Sequence, residues 1–135
     1  MNSLPYVSHI TIDMWNTIAD KYKLNSILVF GSIVTEEFHE ESDIDFAVIG
    51  QAKLTLDEKL AMELELEDLL EREIDVIDLN DNELNVFVKI QALNNGITMF
   101  TNDQENTLQK CIQETEYYYR INESFFAMRR KELLS

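Results

Sequence analysis

The sequence has a single cysteine, Cys111, and a single proline, Pro5. One thiol excludes an internal disulfide, and within an amphipathic segment it reads as a small core residue. With one proline near the start, no stretch has the composition of a linker, and neither repeats nor low-complexity segments occur. No apolar run approaches the roughly 20 residues that span a bilayer. No basic stretch followed by an apolar block opens the chain, so no signal peptide is expected and the expected location is cytoplasmic. Cations are scarce: Lys and Arg number 11 against 26 Asp and Glu, for a formal net charge of −15. That balance argues against direct nucleic-acid binding, which needs clustered cations. It suits a protein that meets a basic partner, because opposite charge steers encounter. Hydrophobic residues make up 45% of the 135, enough to build a core and to exclude disorder.

Periodicity predicts a small mixed β-sheet flanked by helices, an α/β (α+β) fold in a single domain over residues 1–135. Residues 8–22 read as a helix with Ser8 as its cap. Residues 26–30, Ser-Ile-Leu-Val-Phe, read as a buried strand ending at Gly31. Residues 33–42 are polar and acidic without a period. Residues 43–49 read as a second strand. Thr55-x-x-Glu58 is a capping box opening a helix over 55–72, although Glu63 and Glu67 interrupt its leucine stripe. Residues 74–79 read as a third strand and 82–95 as a helix with Gly96 as its C′ residue. Residues 97–100 read as a short edge strand. Asn102-x-x-Glu105 is expected to open a long C-terminal helix over about 103–133.

The chemistry concentrates in Phe30-Gly31-Ser32, then ten residues, then Asp43-Ile44-Asp45. A strand repeats its facing every two residues, so Asp43 and Asp45 share a side, with Cα atoms roughly 6–7 Å apart. Two such carboxylates repel each other unless hard cations neutralise them, and two Mg²⁺ ions there create a site for phosphoryl chemistry. Gly31 removes a Cβ where a phosphate must approach the backbone. Ser32 adds a hydroxyl donor. A third acid is expected on a neighbouring strand. Asp75 fits and could take a proton from an attacking hydroxyl, whereas Asp78, three residues on, faces the other way.

Gly31-Ser32-x₁₀-Asp43-x-Asp45 resembles the signature of the nucleotidyltransferase superfamily related to DNA polymerase beta. The short chain, with Asn95-Gly96-Ile97-Thr98-Met99-Phe100 followed by a terminal helix, resembles the minimal (MNT) branch. The resemblance implies the nucleotidyltransferase fold, ATP as co-substrate held by Gly31 and Ser32, and Mg²⁺ held by Asp43, Asp45 and Asp75. It further implies an MNT antitoxin that transfers AMP to a tyrosine of a cognate HEPN-domain RNase toxin. Binding of the toxin without catalysis, or transfer to a small molecule such as an aminoglycoside, are the alternatives. For the last, a single terminal helix leaves little room for a substrate domain. The chain departs from the branch in one respect: Ile33-Val34-Thr35-Glu36-Glu37-Phe38 lacks the cation often found after Gly-Ser, and residues 24–52 contain none. Lys89, Lys110, Arg120, Arg129, Arg130 and Lys131 remain as basic candidates, each read more readily as an ordinary surface or C-terminal helix charge that complements the macrodipole. His39 and Tyr117-Tyr118-Tyr119 read as a solvated loop residue and as one packed tyrosine with two half-exposed neighbours.

Overall fold

The first helix, α1, spans Ile12–Tyr22, later than its expected start. Thr11 and not Ser8 caps it, because the Thr11 hydroxyl accepts from the Met14 amide. A computed structural model of the chain describes residues 7, 8, 10–35, 38, 42–125, 127 and 128. After α1 come β1 (Leu24–Phe30), a 3₁₀ turn (Gly31–Val34), β2 (Ile44–Gly50) and α2 (Leu56–Leu70). They are followed by β3 (Ile74–Asp78), α3 (Val86–Asn95), β4 (Ile97–Thr101) and α4 (Asn106–Ile121). His39, Arg129, Arg130 and Lys131 lie outside the described residues. No helix among the described residues is long and apolar enough to cross a membrane.

The sheet is mixed, in the order β3-β2-β1-β4. β1 pairs antiparallel with β2 and with β4, while β2 and β3 run parallel, joined through α2. Strand alternation sends two sets of side chains to opposite faces. Ile27, Val29, Ile44, Phe46, Val48, Ile74 and Val76 pack with Trp15 and Ile18 of α1 and Met62, Leu66 and Leu70 of α2. Trp15 meets Phe46 edge-on, with ring centroids 5.7 Å apart. On the other face Leu28, Phe30, Ala47, Ile49, Ile77 and Leu79 pack with Ala92 of α3 and with Leu108 and Cys111 of α4. Cys111 is the core residue expected of it, and burial raises its thiol pKa.

Three local readings need correction. The anomalous Glu63 of α2 is not a flaw in the helix: its Oε2 accepts from the Val76 amide at 2.8 Å. β3 is an edge strand, and that carboxylate satisfies an amide that otherwise opens to solvent. Gly96 is not a left-handed C′ residue, since its φ is −69°. It is glycine because a Cβ there would collide with the Ala92 carbonyl oxygen. The terminal helix does not begin at 103 or run unbroken. Glu105 is left-handed at φ 63°, and the Thr107 amide is taken by the Asp103 carboxylate at 3.1 Å, so Asn102-x-x-Glu105 forms no capping box. α4 ends at Ile121, and residues 123–125, 127 and 128 are helical again beyond a turn at Asn122.

Candidate active site

Each strand of the parallel pair carries an acid as its second residue. Asp45 and Asp75 stand opposite one another in register on β2 and β3, so their side chains leave the same face of the sheet. Asp43 precedes β2 by one residue and is exposed, as is Asp75, while Asp45 is half-buried. Burial is the first cause, and the charges of Asp75 and then Asp43 the next, that push the Asp45 carboxyl up to about 6. The three acids therefore share one electrostatic neighbourhood. Asp78 does not join it. It is buried on the opposite face, where it accepts from the Leu54 amide at 2.7 Å and the Asn80 amide at 2.9 Å. Its work is to hold the chain entering α2.

Gly31 lies directly beyond Phe30, whose register partner on β2 is Asp45. Its φ is +79°, and a Cβ there would collide with Asp45 Oδ2. Glycine thus has a reason independent of the phosphate expected there: it leaves room for the central carboxylate. Ser32 follows in the 3₁₀ turn, half-buried. Its carbonyl accepts from the Thr35 amide and from the Thr35 hydroxyl, each at 2.9 Å. The Ser32 hydroxyl makes no hydrogen bond among the described residues, so its donor remains available.

A cation does stand beside the segment that leads into Asp43, and it comes from another part of the sequence. Arg72, between α2 and β3, donates from Nη1 to the Ser42 carbonyl at 2.9 Å. Its guanidinium stacks on the Phe38 ring at 4.6 Å from the centroid. Arg72 therefore ties the segment before Asp43 to the start of the strand that carries Asp75. Sequence reading missed it. The only available signal was an arginine two residues before the third acid's strand. Of the basic candidates, Lys89 and Lys110 border a cleft with Ile49, Gly50 and Asn80, at the far end of β2 from Asp45. Arg120 lines a groove between α3 and α4 with Phe87 and Leu93.

The profile of the family described as "Polymerase beta, Nucleotidyltransferase" matches residues 14–105, a span that contains Gly31, Ser32 and all three acids. A comparison with curated proteins finds no match. Among solved structures, the chain is similar to a toxin–antitoxin crystallised with AMP-PNP, at 19% identity and TM-score 0.68, covering 93% of this chain and 99% of that one. It is also similar to a chain in the complex of a tri-AMPylated Shewanella oneidensis HEPN toxin with an MNT antitoxin. There the identity is 18% and the TM-score 0.61, covering 91% and 95% of the two chains. A structure assigned as a minimal nucleotidyltransferase matches at 25% identity and TM-score 0.51, covering 67% of this chain and 97% of that one. With its mixed sheet, its acids paired across β2 and β3, and the family profile over most of its length, this chain belongs to the polymerase beta nucleotidyltransferase family.

Proposed function

We propose that the chain is an antitoxin that transfers AMP from ATP to a tyrosine of a basic, helical HEPN-domain RNase toxin. The observation that carries this reading is the in-register pair Asp45–Asp75, with Asp43 two residues before Asp45, Gly31 close against Asp45 and Ser32 next in the chain. The bound AMP-PNP and the AMPylated HEPN toxin named for similar structures give the reading its nucleotide and acceptor. The net charge of −15 suits a toxin whose own surface must hold RNA.

The acids fit Mg²⁺ brought with a nucleotide. Ionising Asp45 is costly while Asp43 and Asp75 face it, and a divalent cation relieves that cost. Among the described residues no three His, Cys, Asp or Glu side chains close into a complete cage. Mg²⁺ does not need one, since it takes one or two carboxylates and completes its shell with phosphate oxygens and water. Asp43 and Asp45 would hold two ions, with Asp75 completing the acid set; when bound, these neutralise charge on the reacting phosphates. The Ser32 hydroxyl and the amides after Gly31 bind triphosphate oxygens. Asp75, exposed at the sheet edge, accepts the phenolic proton. The tyrosine oxygen bonds to the α-phosphorus, the bridging P–O bond to the β-phosphate breaks, and pyrophosphate leaves. A phenol, with pKa near 10, gives up that proton more readily than a serine.

Because the cage is incomplete without phosphate oxygens, ATP with Mg²⁺ is expected to raise the melting temperature by about 5 °C or more, with Mg²⁺ alone giving little. A thermal melt with an equal shift for metal alone, or none with both, counts against this site. The function itself is tested by incubating the chain with ATP, Mg²⁺ and the HEPN protein, separating the two, and assaying the toxin alone. The expected toxin is heavier by one AMP unit or a multiple and stays inactive, because a nucleotide adds bulk and negative charge where RNA must bind. One observation favours a second reading, occlusion without chemistry: residues 24–52 carry no cation for a triphosphate. Full RNase activity returning to a toxin of unchanged mass establishes that second reading.

A further inference from the structure

α2 carries two apolar stripes. Met62, Leu66 and Leu70 are buried against the sheet. Leu56, Leu60 and Leu64 recur at i, i+4 and i+8 on another side of the helix and are 69%, 48% and 66% exposed. Exposed leucines scattered singly need no explanation, but three aligned on one strip of one helix form a patch. Helix stability does not require them, since Ala, Glu or Lys would serve as well at solvent positions. The strip lies in the α1–α2 layer, across the sheet from the face that Asp45 and Asp75 share.

The charges around the strip select its occupant. At 100° per residue, Asp57 and Asp68 fall within about 40° of Leu64 on one border of the strip, and Glu67 lies in line with the leucines toward the end of the helix, while Lys59 is the one cation on the other border. A second copy of the chain would set these acids against their own kind, on a molecule already at −15. We infer that Leu56, Leu60 and Leu64 are a docking ridge for an amphipathic helix of a partner protein, one with apolar side chains at i/i+4 spacing and Lys or Arg along the border that meets Asp57 and Asp68. Apolar anchors supply affinity there, and the acidic border disfavours acidic helices. A partner held on this side leaves Asp43, Asp45 and Asp75 open on the other, so holding and chemistry are separable. The inference therefore does not depend on AMP transfer taking place.

The test uses two synthetic helical peptides of identical Leu/Lys composition. One has its leucines on a single face, and the other has them spread around the helix. Binding to the full chain is read by fluorescence anisotropy, and the chain's own association by sedimentation velocity. The one-faced peptide is expected to bind, and Leu60→Gln or Leu64→Gln is expected to weaken it about tenfold or more. Leu60 is about half exposed and Leu64 more so, so the variants' melting temperatures should match the parent's. Equal binding of the two peptides, or binding unchanged in the variants, leaves charge as the sole attraction and overturns the ridge. Failure of the one-faced peptide to bind overturns it as well. A parent dimer that Leu60→Gln converts to monomer assigns the strip to a second copy and overturns the proposed partner.

Discussion

Asp45→Asn is expected to lower AMP transfer on the order of a thousandfold and, at pH 8, to give a more stable apo protein than the parent. Both effects come from one geometry. Asp45 is half-buried and faces Asp75 and Asp43, which together with burial push its carboxyl up to about 6 from an ordinary value of 3.8. Between those two pH values the native state binds more protons at this position than the unfolded chain does. Asp45 therefore contributes most to stability below about pH 4, and the contribution is lost as pH rises through 6. Asparagine keeps the shape and omits the charge, so the variant's advantage should be near zero at pH 4 and grow across that window. At pH 8 it should reach about 1 kcal/mol, well under the full shift because the half-open carboxylate is screened by solvent. Urea unfolding of both proteins at pH 4.5, 6 and 8 checks this. Glu58, Asp81 and Asp103, whose carboxyls are held below their ordinary values, gain in the opposite direction but do so equally in both proteins. Mg²⁺ with ATP should reverse the order, stabilising the parent and not the variant. A variant less stable than the parent at pH 8 without ligand would mean that Asp45 has a favourable partner, and the repulsion argument would fail.

The acids were legible because facing in a strand is a local property. Asp43, Ile44 and Asp45 alternate whatever the strand pairs with, and Asp75 and Asp78 fall on opposite sides for the same reason. What alternation cannot supply is register. That Asp45 meets Asp75, and not Ile77, depends on how α2 returns the chain to the sheet. Arg72 was missed on the same ground: it reaches Ser42 only because β3 runs beside β2, thirty residues on. Glu63 looked like a defect in a helical wheel because its partner, the Val76 amide, lies on another element. Caps divide the same way. Thr55 and Glu58 form the box their spacing announces, each bonding the other's amide. Asn102 and Glu105 have suitable spacing and fail, because Asn102 is engaged across the sheet end with the backbone of Leu24 and Asn25. The tyrosine triplet shows the limit of composition: Tyr117 and Tyr118 are exposed and Tyr119 only partly buried, so none became the core residue expected of one of them.

Gly31→Ala should cost about 2–3 kcal/mol of stability and most of the transfer activity, a large effect for one methyl group. Two separate penalties contribute. The backbone at φ +79° is accessible to glycine and strained for alanine. The added Cβ also meets Asp45 Oδ2, with Asp45 Cγ only 3.3 Å away, and Phe30 and Asp45 are register partners that keep the two strands from parting. Gly96→Ala provides the contrast, since its φ is ordinary at −69° and its Cβ would meet the Ala92 backbone and the Leu28 side chain and not a carboxylate. A double-mutant cycle divides the two penalties at Gly31. Asp45→Ala removes the atom in the way but leaves the dihedral angle, so the pair of changes should cost less than the sum of the single ones by about 1 kcal/mol. The remainder is the strain of φ. Gly96→Ala combined with Asp45→Ala should be additive within about 0.5 kcal/mol. If Gly31→Ala and Asp45→Ala also add without coupling, Gly31 does not make room for the carboxylate, and its place beside Ser32 must be explained by backbone conformation alone.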